Sequence, residues 1–277
     1  MSAGHSVGDP ERERSSARID TTVAHNARVW DYWLGGKDNF AVDRQVGDRV
    51  RQMFPVIGDV AWASRQFLIR AVRFLAAEAG IRQFLDIGTG LPTANNTHEV
   101  AQAVAPESRV VYVDNDPLVL VHARALLTSS ERGATDYVDA DVHDPDAILA
   151  GAVPTLDFTR PVAITMLGVL NFVMDTDEAR NIVHRFMDAV PSGSYLALTH
   201  PTVELGGESN AEAMAFWNKN ADPPIRTRTG AEIGRFLTGL DLVEPGLVSC
   251  SLWRPEAGSN GDVPGRVPQY GVVGRKP

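Results

Sequence analysis

The sequence predicts an α/β fold, a Rossmann-like doubly wound and mostly parallel sheet with helices on both faces. Three observations carry that expectation. From Gln83 onward, short apolar runs alternate with helical patterns, as βαβ units require. Two of those runs end in acidic turns, FLDIGTG and VVYVDNDP, of the kind that opens a ligand site at a strand tip. The chain then closes on two β-like runs, DLVEPGLVS and QYGVVGRK, separated by a Gly- and Pro-rich stretch with too little helical pattern for a parallel crossover. Those two runs are expected to pair as a hairpin at a sheet edge.

Five parallel strands are expected at Phe84–Gly88, Val110–Asp114, Thr135–Asp141, Val162–Leu167 and Ser194–His200. The helices between them carry start signals. Asp116 offers an N-cap oxygen before Pro117, whose missing N–H costs nothing at the first helical position, and a helix through Leu127 follows. Asp175 with Glu178, and Thr229 with Glu232, have capping-box spacing, so helices should begin at Thr176 and Gly230. Another should begin near Asn95 or Asn96. Upstream, Asp59–Ala79 places Trp62, Phe67, Ile69, Val72 and Leu75 at helical spacing, an amphipathic helix expected to pack on the sheet. The preceding RVWDYWLGGKDNF is aromatic and then glycine-rich, so a helix should stop at Gly35.

Composition bounds the function. The 277 residues suffice for one large core, and 44% apolar with 22% charged content is ordinary for a globular protein. No apolar run reaches a membrane span, and the N-terminus lacks the apolar centre of a secretory signal, so a soluble, cytoplasmic protein is expected, with residues 1–18 as a disordered tail. A net charge of -9 opposes nucleic-acid binding. The single cysteine, Cys250, excludes an internal disulfide or a multi-cysteine zinc site, fits a reducing compartment, and is expected to be buried; no metal site is expected. Arg226 and Arg228 form a local basic pair that reads most simply as a solvated loop.

The segment richest in chemistry is FLDIGTGLPTANNTHEV. Gly88 and Gly90 let the chain turn tightly after the strand and allow a ligand close to the backbone. A dinucleotide site would want a third glycine where Thr93 stands, and the carboxylate of Asp86 would repel a pyrophosphate. A cofactor with a cationic amine and no phosphate suits the acid better. Asp114 ends the next strand, where a carboxylate can accept from both ribose hydroxyls, with Asn115 beside it. Asp141 could accept from an adenine amino group while the Val142 N–H meets a ring nitrogen and Leu118 lies against the ring face. All of these belong to the same carboxyl edge of the sheet.

DIGTG, VDNDP and ADVHD resemble the first three motifs of class I S-adenosylmethionine-dependent methyltransferases. With RVWDYWLGGKDNF and the later GLVSCSLWRP, they resemble one branch, the S-adenosyl methyltransferase domain family found mainly in actinobacteria, over about Ile19 to the C-terminus. The resemblance implies a seven-stranded sheet of order 3-2-1-4-5-7-6 with its last strand antiparallel, and S-adenosylmethionine as cofactor. It divides the chain into an N-terminal helical extension over residues 19–80 and a cofactor-binding domain over 81–277. The extension could fold over the cofactor as a lid using Tyr32, Lys37 and Asn39, with Lys37 or Asn39 meeting the methionine carboxylate. Trp30 and Trp33 fit core packing better than substrate stacking.

The fourth strand opens without an acid and continues as GVLNF, so Leu167 and Gly168 are expected to approach the cofactor through backbone atoms, with Asn171 or Phe172 facing a small-molecule methyl acceptor. No D/N-P-P-Y/F signature is present, which argues against amino-group methylation of adenine, cytosine or glutamine. An oxygen nucleophile would need a base, and His143 and His200 are the candidates at strand ends; His98 could line the pocket from an early helical position. A cofactor-binding regulator without turnover, and a nicotinamide oxidoreductase, are the competing readings; Thr93 argues against the second.

Overall fold

The computed structural model describes residues 20–126, 128–256 and 264–277. The expected tail at 1–18 lies outside them, as does Leu127, the expected end of the helix opened by Pro117. The central sheet contains β1 (Gln83–Ile87), β2 (Arg109–Asp114), β3 (Ala134–Asp139), β4 (Ala163–Leu167), β5 (Tyr195–Pro201), β6 (Asp241–Leu242), β7 (Val248–Ser249) and β8 (Gln269–Arg275). Their order is β3-β2-β1-β4-β5-β8-β6, with β7 pairing to β8 beside that path. Strands β1 to β5 run parallel to their neighbours, whereas β8 is antiparallel to β5, β6 and β7.

The sheet therefore has eight strands, one more than the sequence suggests. The run DLVEPGLVS splits in two because Pro245 has no N–H to donate to a ladder and Gly246 turns with φ +80. The third strand also ends earlier than expected, at Asp139, which leaves Asp141 in the turn beyond it.

Alternate strand residues feed two cores. Phe84, Val110 and Tyr112 join one face with Phe67, Val72 and Leu75, while Leu85, Val111 and Val113 join the other with Ile148, Phe186 and Phe236. The helices are α1 (Asn26–Trp33), α2 (Ala41–Met53), α3 (Ile57–Ala77), α4 (Thr97–Val104), α5 (Pro117–Leu126), α6 (Pro145–Ala152), α7 (Thr176–Asp188), α8 (Gly207–Asn220) and α9 (Gly230–Gly234). The caps expected at Asp175 and Thr229 operate: Asp175 accepts from the Glu178 N–H at 2.8 Å and Thr229 from the Glu232 N–H at 3.2 Å. The helix expected near Asn95 or Asn96 starts with a cap of its own, the Asn96 N–H donating to Glu99 at 2.7 Å.

Helix α3 departs from its reading at one residue. Phe67, Val72 and Leu75 are buried and Ile69 is half-buried, but Trp62 is 61% exposed. The buried stripe also takes in Val60 and Leu68, and with them Ala61, Ser64, Ala71 and Ala76, small residues that a hydrophobicity count underweights. Trp62 lies about 100° around the helix from Ala61, off that stripe.

Helix α1 lies at the carboxyl edge of the sheet, and α2 packs against α1 and α8. A two-residue parallel ladder, Ala24 with Ala221 and His25 with Asp222, ties the start of α1 to the segment after α8.

Candidate functional site

A cavity of about 430 Å³ opens at the carboxyl ends of β1 to β5, under α1, α3 and α8. Asp86, Gly88, Gly90, Asp114, Asn115, Asp141, Val142, His143, Leu167 and Gly168 line it. Leu118, Tyr32, Lys37, Asn39, His98 and His200 are not among its lining residues.

The β1 to β3 side is built from braced carboxylates. Gly88 adopts φ +73, and a Cβ there would stand 2.6 Å from the Val169 side chain, so the loops after β1 and β4 meet at a point only glycine permits. The Gly90 N–H donates to Asp114 at 2.9 Å and the Asp116 N–H donates to its other oxygen at 3.0 Å. Burial raises the Asp114 pKa even against those two bonds. Asp141 accepts from the His143 N–H at 2.9 Å, from the His143 ring at 2.5 Å and from Asn115 at 2.7 Å. Burial pushes its pKa up, yet these bonds hold it below the usual carboxylate value. Asp86 is buried and accepts from Thr165 and Thr97, each at 2.6 Å; burial raises its pKa. Leu118 packs instead with Leu91, Val119 and Ala27, and His98 is turned toward the Tyr112 hydroxyl at 2.8 Å.

The N-terminal cover assembles differently from its reading. Helix α1 ends in a Schellman motif, with Gly35 N–H to Tyr32 O at 3.1 Å and Gly36 N–H to Asp31 O at 2.9 Å. Gly35 takes φ +84. A Cβ on Gly36 would lie 1.9 Å from Asp31 Oδ1, so this glycine exists to let the carboxylate in. Asp31 also accepts from the Asp38 N–H at 3.0 Å and from Asn39 at 2.9 Å. The LGGKDNF segment thus cradles Asp31, a buried cavity-lining acid that sequence reading overlooked, whose pKa burial raises. Tyr32 donates to Asp48 at 2.7 Å, and Lys37 has no side-chain partner among the described residues.

Arg65, from the middle of α3, is the only Lys or Arg among the lining residues. Its Nε and Nη2 donate to Ala94 O at 3.1 and 2.9 Å, and Nη2 also reaches Asn96 at 3.1 Å and contacts Thr93 Oγ1. In sequence it reads as one more arginine on an amphipathic helix.

The β4 and β5 side is mostly apolar. Beyond β4, Gly168 takes φ +76 and a 3₁₀ turn, Leu170–Phe172, follows. Within it Asn171 is 4% exposed, lines the cavity, and its Oδ1 has no hydrogen-bond partner among the described residues. Arg228, expected in a solvated loop, is buried beneath this turn and donates to Leu170 O at 2.9 Å and Val173 O at 2.6 Å. Only Arg226 of that pair is exposed. Its own N–H binds Asn171 O at 2.8 Å. His200 explains the buried cation: its Nδ1 bonds Pro201 O at 2.9 Å, so the neutral Nε2 accepts from Arg228 at 2.9 Å. Burial, with Arg228 adding to it, lowers the His200 pKa to about 4. Neither ring nitrogen is free to take a proton from a ligand.

Trp30, Trp33 and Trp217 complete this wall. Trp33 packs against both others, at ring separations of 5.9 and 6.2 Å. Trp217 donates to Pro223 O at 3.1 Å, and Pro223 belongs to the segment that reaches Asn171 through Arg226.

A doubly wound sheet whose neighbouring strand tips present acids and positive-φ glycines to one enclosed cavity defines a nucleoside-cofactor α/β protein. The chain belongs to the S-adenosyl methyltransferase family, whose profile matches residues 12–277. It is similar to a DUF574-family protein of Streptomyces avermitilis of known crystal structure, at 47% identity and a TM-score of 0.90, over 94% of this chain and 100% of that one. A proposed methyltransferase of Thermobifida fusca aligns at 40% identity and a TM-score of 0.85, over 98% of this chain and 99% of the other. No curated protein matches the sequence. The protein is an S-adenosylmethionine-dependent methyltransferase, and S-adenosylmethionine is its cofactor.

The cavity fits that cofactor. Asp31, Asp86, Asp114, Asp141 and Asp222 line it against the one arginine, a balance suited to a ligand of net positive charge. At Gly90 (φ +66), nothing stands within 4 Å of where a Cβ would project, which leaves room over the loop. Among the described residues, no group of three His, Cys, Asp or Glu side chains is placed to hold a metal.

Proposed function

We propose that this methyltransferase acts on a small, largely apolar methyl acceptor bound against Trp30, Trp33 and Trp217. The observation that carries the reading is the aromatic wall joined, through Pro223 and Arg226, to a buried Asn171 oxygen that lacks a partner. A buried carbonyl left unmade costs roughly 1–3 kcal/mol, so a ligand hydrogen completes it. An enclosed cavity of about 430 Å³ and a net charge of -9 favour a small molecule over a nucleic acid.

In this reading Asp114 accepts from the ribose hydroxyls, Asn115 and Asp141 fix the adenine end with the Val142 N–H, and Asp86, Gly88 and Gly90 shape the floor beside Leu167 and Gly168. The cofactor supplies an activated methyl on a sulfonium, so the chain's work is to orient a nucleophile and exclude water. Asn171 orients the nucleophile through its N–H or O–H. His143 belongs to the adenine end by its pairing with Asp141, and His200 acts through Arg228 on the turn carrying Asn171.

The same reading takes residues 19–80 as a cover and 81–277 as the cofactor-binding domain. It takes the eight strands as the seven-stranded class I sheet of order 3-2-1-4-5-7-6, with β7 a local addition. No helix among the described residues is long and apolar enough to cross a membrane. Burial pushes the Cys250 thiol up to about 12, which suits an inert thiol in a cytoplasmic protein.

The test is transfer of a tritiated methyl from the cofactor into an actinobacterial metabolite extract, followed by mass identification of the product. A labelled small aromatic product that Trp217→Ala abolishes supports the reading. Label that appears only in protein or nucleic acid overturns it.

A further inference from the structure

We infer that Arg65 is the residue that binds the α-carboxylate of the cofactor's methionine moiety, and that helix α3 is thereby part of the cofactor site. Among the described residues, the cavity wall holds a single permanent cation, Arg65, and five carboxylates. A ligand carboxylate entering this cavity has one favourable destination, because every other charged wall group except the histidines is an acid. Arg65 is also anchored. Nε and Nη2 are spent on the loop that follows Gly90, at Thr93, Ala94 and Asn96, whereas Nη1 makes no hydrogen bond among the described residues. A guanidinium fixed along one edge presents its remaining donors in a set direction, which is how arginine reads carboxylates.

Arg65 also stands next to the floor of the site. It is tied to the residues between Gly90 and helix α4, and Thr97 at the start of that helix donates to Asp86 at 2.6 Å. A zwitterionic amino-acid group placed here would find its cationic end near Asp86 and its anionic end at Arg65. Lys37 and Asn39, the sequence-based candidates for this contact, do not line the cavity. Asn39 is committed to Asp31.

The competing possibility is that Arg65 only fastens the 93–96 loop. Two ligands separate the cases: S-adenosylhomocysteine, and its decarboxylated analogue, which keeps adenosine, sulfur and amine and lacks only the carboxylate. Titration calorimetry should find the full ligand bound about tenfold to hundredfold more tightly by the wild type, the scale of one charged hydrogen bond. Arg65→Met should erase that preference and leave the analogue's affinity within about threefold, while Arg65→Lys should restore part of the preference. Equal binding of both ligands by the wild type would overturn the assignment. So would a loss in Arg65→Met that is the same for both, since a loosened loop cannot distinguish a carboxylate. Should Arg65→Met fail to fold, the wild-type ratio and Arg65→Lys still decide. Wild-type protein that binds neither ligand would refute the cofactor site altogether, a different result from a lost preference.

Discussion

The two sides of the cavity are held open by opposite means. At the tips of β1 to β3, Asp86, Asp114 and Asp141 each take two or more hydrogen bonds from neighbouring N–H or O–H groups, so the polar surface is satisfied before any ligand arrives. At the tips of β4 and β5 the wall is tryptophan, and a buried amide oxygen there, on Asn171, is unsatisfied among the described residues. A prebraced side suits a ligand that is the same in every turnover. A side with an unmade bond is where specificity is decided, because only a molecule with a hydrogen to offer completes it.

The sides meet at Gly88, and breaking that joint has the largest expected effect. Gly88→Val places a β-branched side chain at φ +73 with its Cβ 2.6 Å from Val169. Left-handed backbone and overpacking together should cost about 3–5 kcal/mol and abolish S-adenosylhomocysteine binding. Calorimetry and denaturant unfolding check this. A variant with wild-type stability and affinity would mean that the two loops do not touch.

The comparison sharpens in acid. On the β4 and β5 side the turn carrying Asn171 rests on Arg228, which needs a neutral His200 beneath it. His200 has a folded pKa of about 4 against an ordinary 6.5, so the unfolded chain takes up the proton first as the pH falls. Stability is therefore undiminished above pH 6.5 and is lost between 6.5 and 4, by about 3 kcal/mol in all. Asp86 and Asp114 act in the other direction, because burial raises their pKa and acid favours their folded form. His200→Gln, which can still donate to Pro201 and accept from Arg228, isolates the histidine. Urea unfolding at pH 7 and pH 4 should show the wild type losing about 3 kcal/mol more than the variant. Parallel losses would remove His200 as the acid-sensitive support.

What the sequence disclosed follows the same division. The β1 to β3 side was legible because each feature is local: an apolar run, then an acid or glycine within two or three residues, as in FLDIG and VVYVD. The β4 and β5 side joins residues far apart in the chain, and no short window shows that Arg228 lies beneath Leu170 or that Trp217 faces Trp33. LGGKDNF stood out as unusual, but its purpose is to admit a side chain earlier in the sequence, Asp31, so its polar residues misled when taken as ligands themselves. Arg65 was hidden for a simpler reason: on an amphipathic helix, an arginine at the rim of the buried stripe looks the same whether it faces solvent or a cavity.

Helix α3 also supplies the smallest effect, and a control for the reading of that helix. Trp62, three positions before Arg65, is 61% exposed despite being the largest apolar side chain in the helix. A residue that buries so little surface has little to lose. Trp62→Ser should change unfolding free energy by no more than about 0.5 kcal/mol and leave S-adenosylhomocysteine affinity unchanged. A loss of 2 kcal/mol or more, roughly what truncating a buried large side chain costs, would show that Trp62 is covered in solution. The stripe through Ala61, Ser64 and Leu68 would then not be the only covered face of the helix, and Arg65, three positions on from Trp62 and on the same side, would lie between two covered faces.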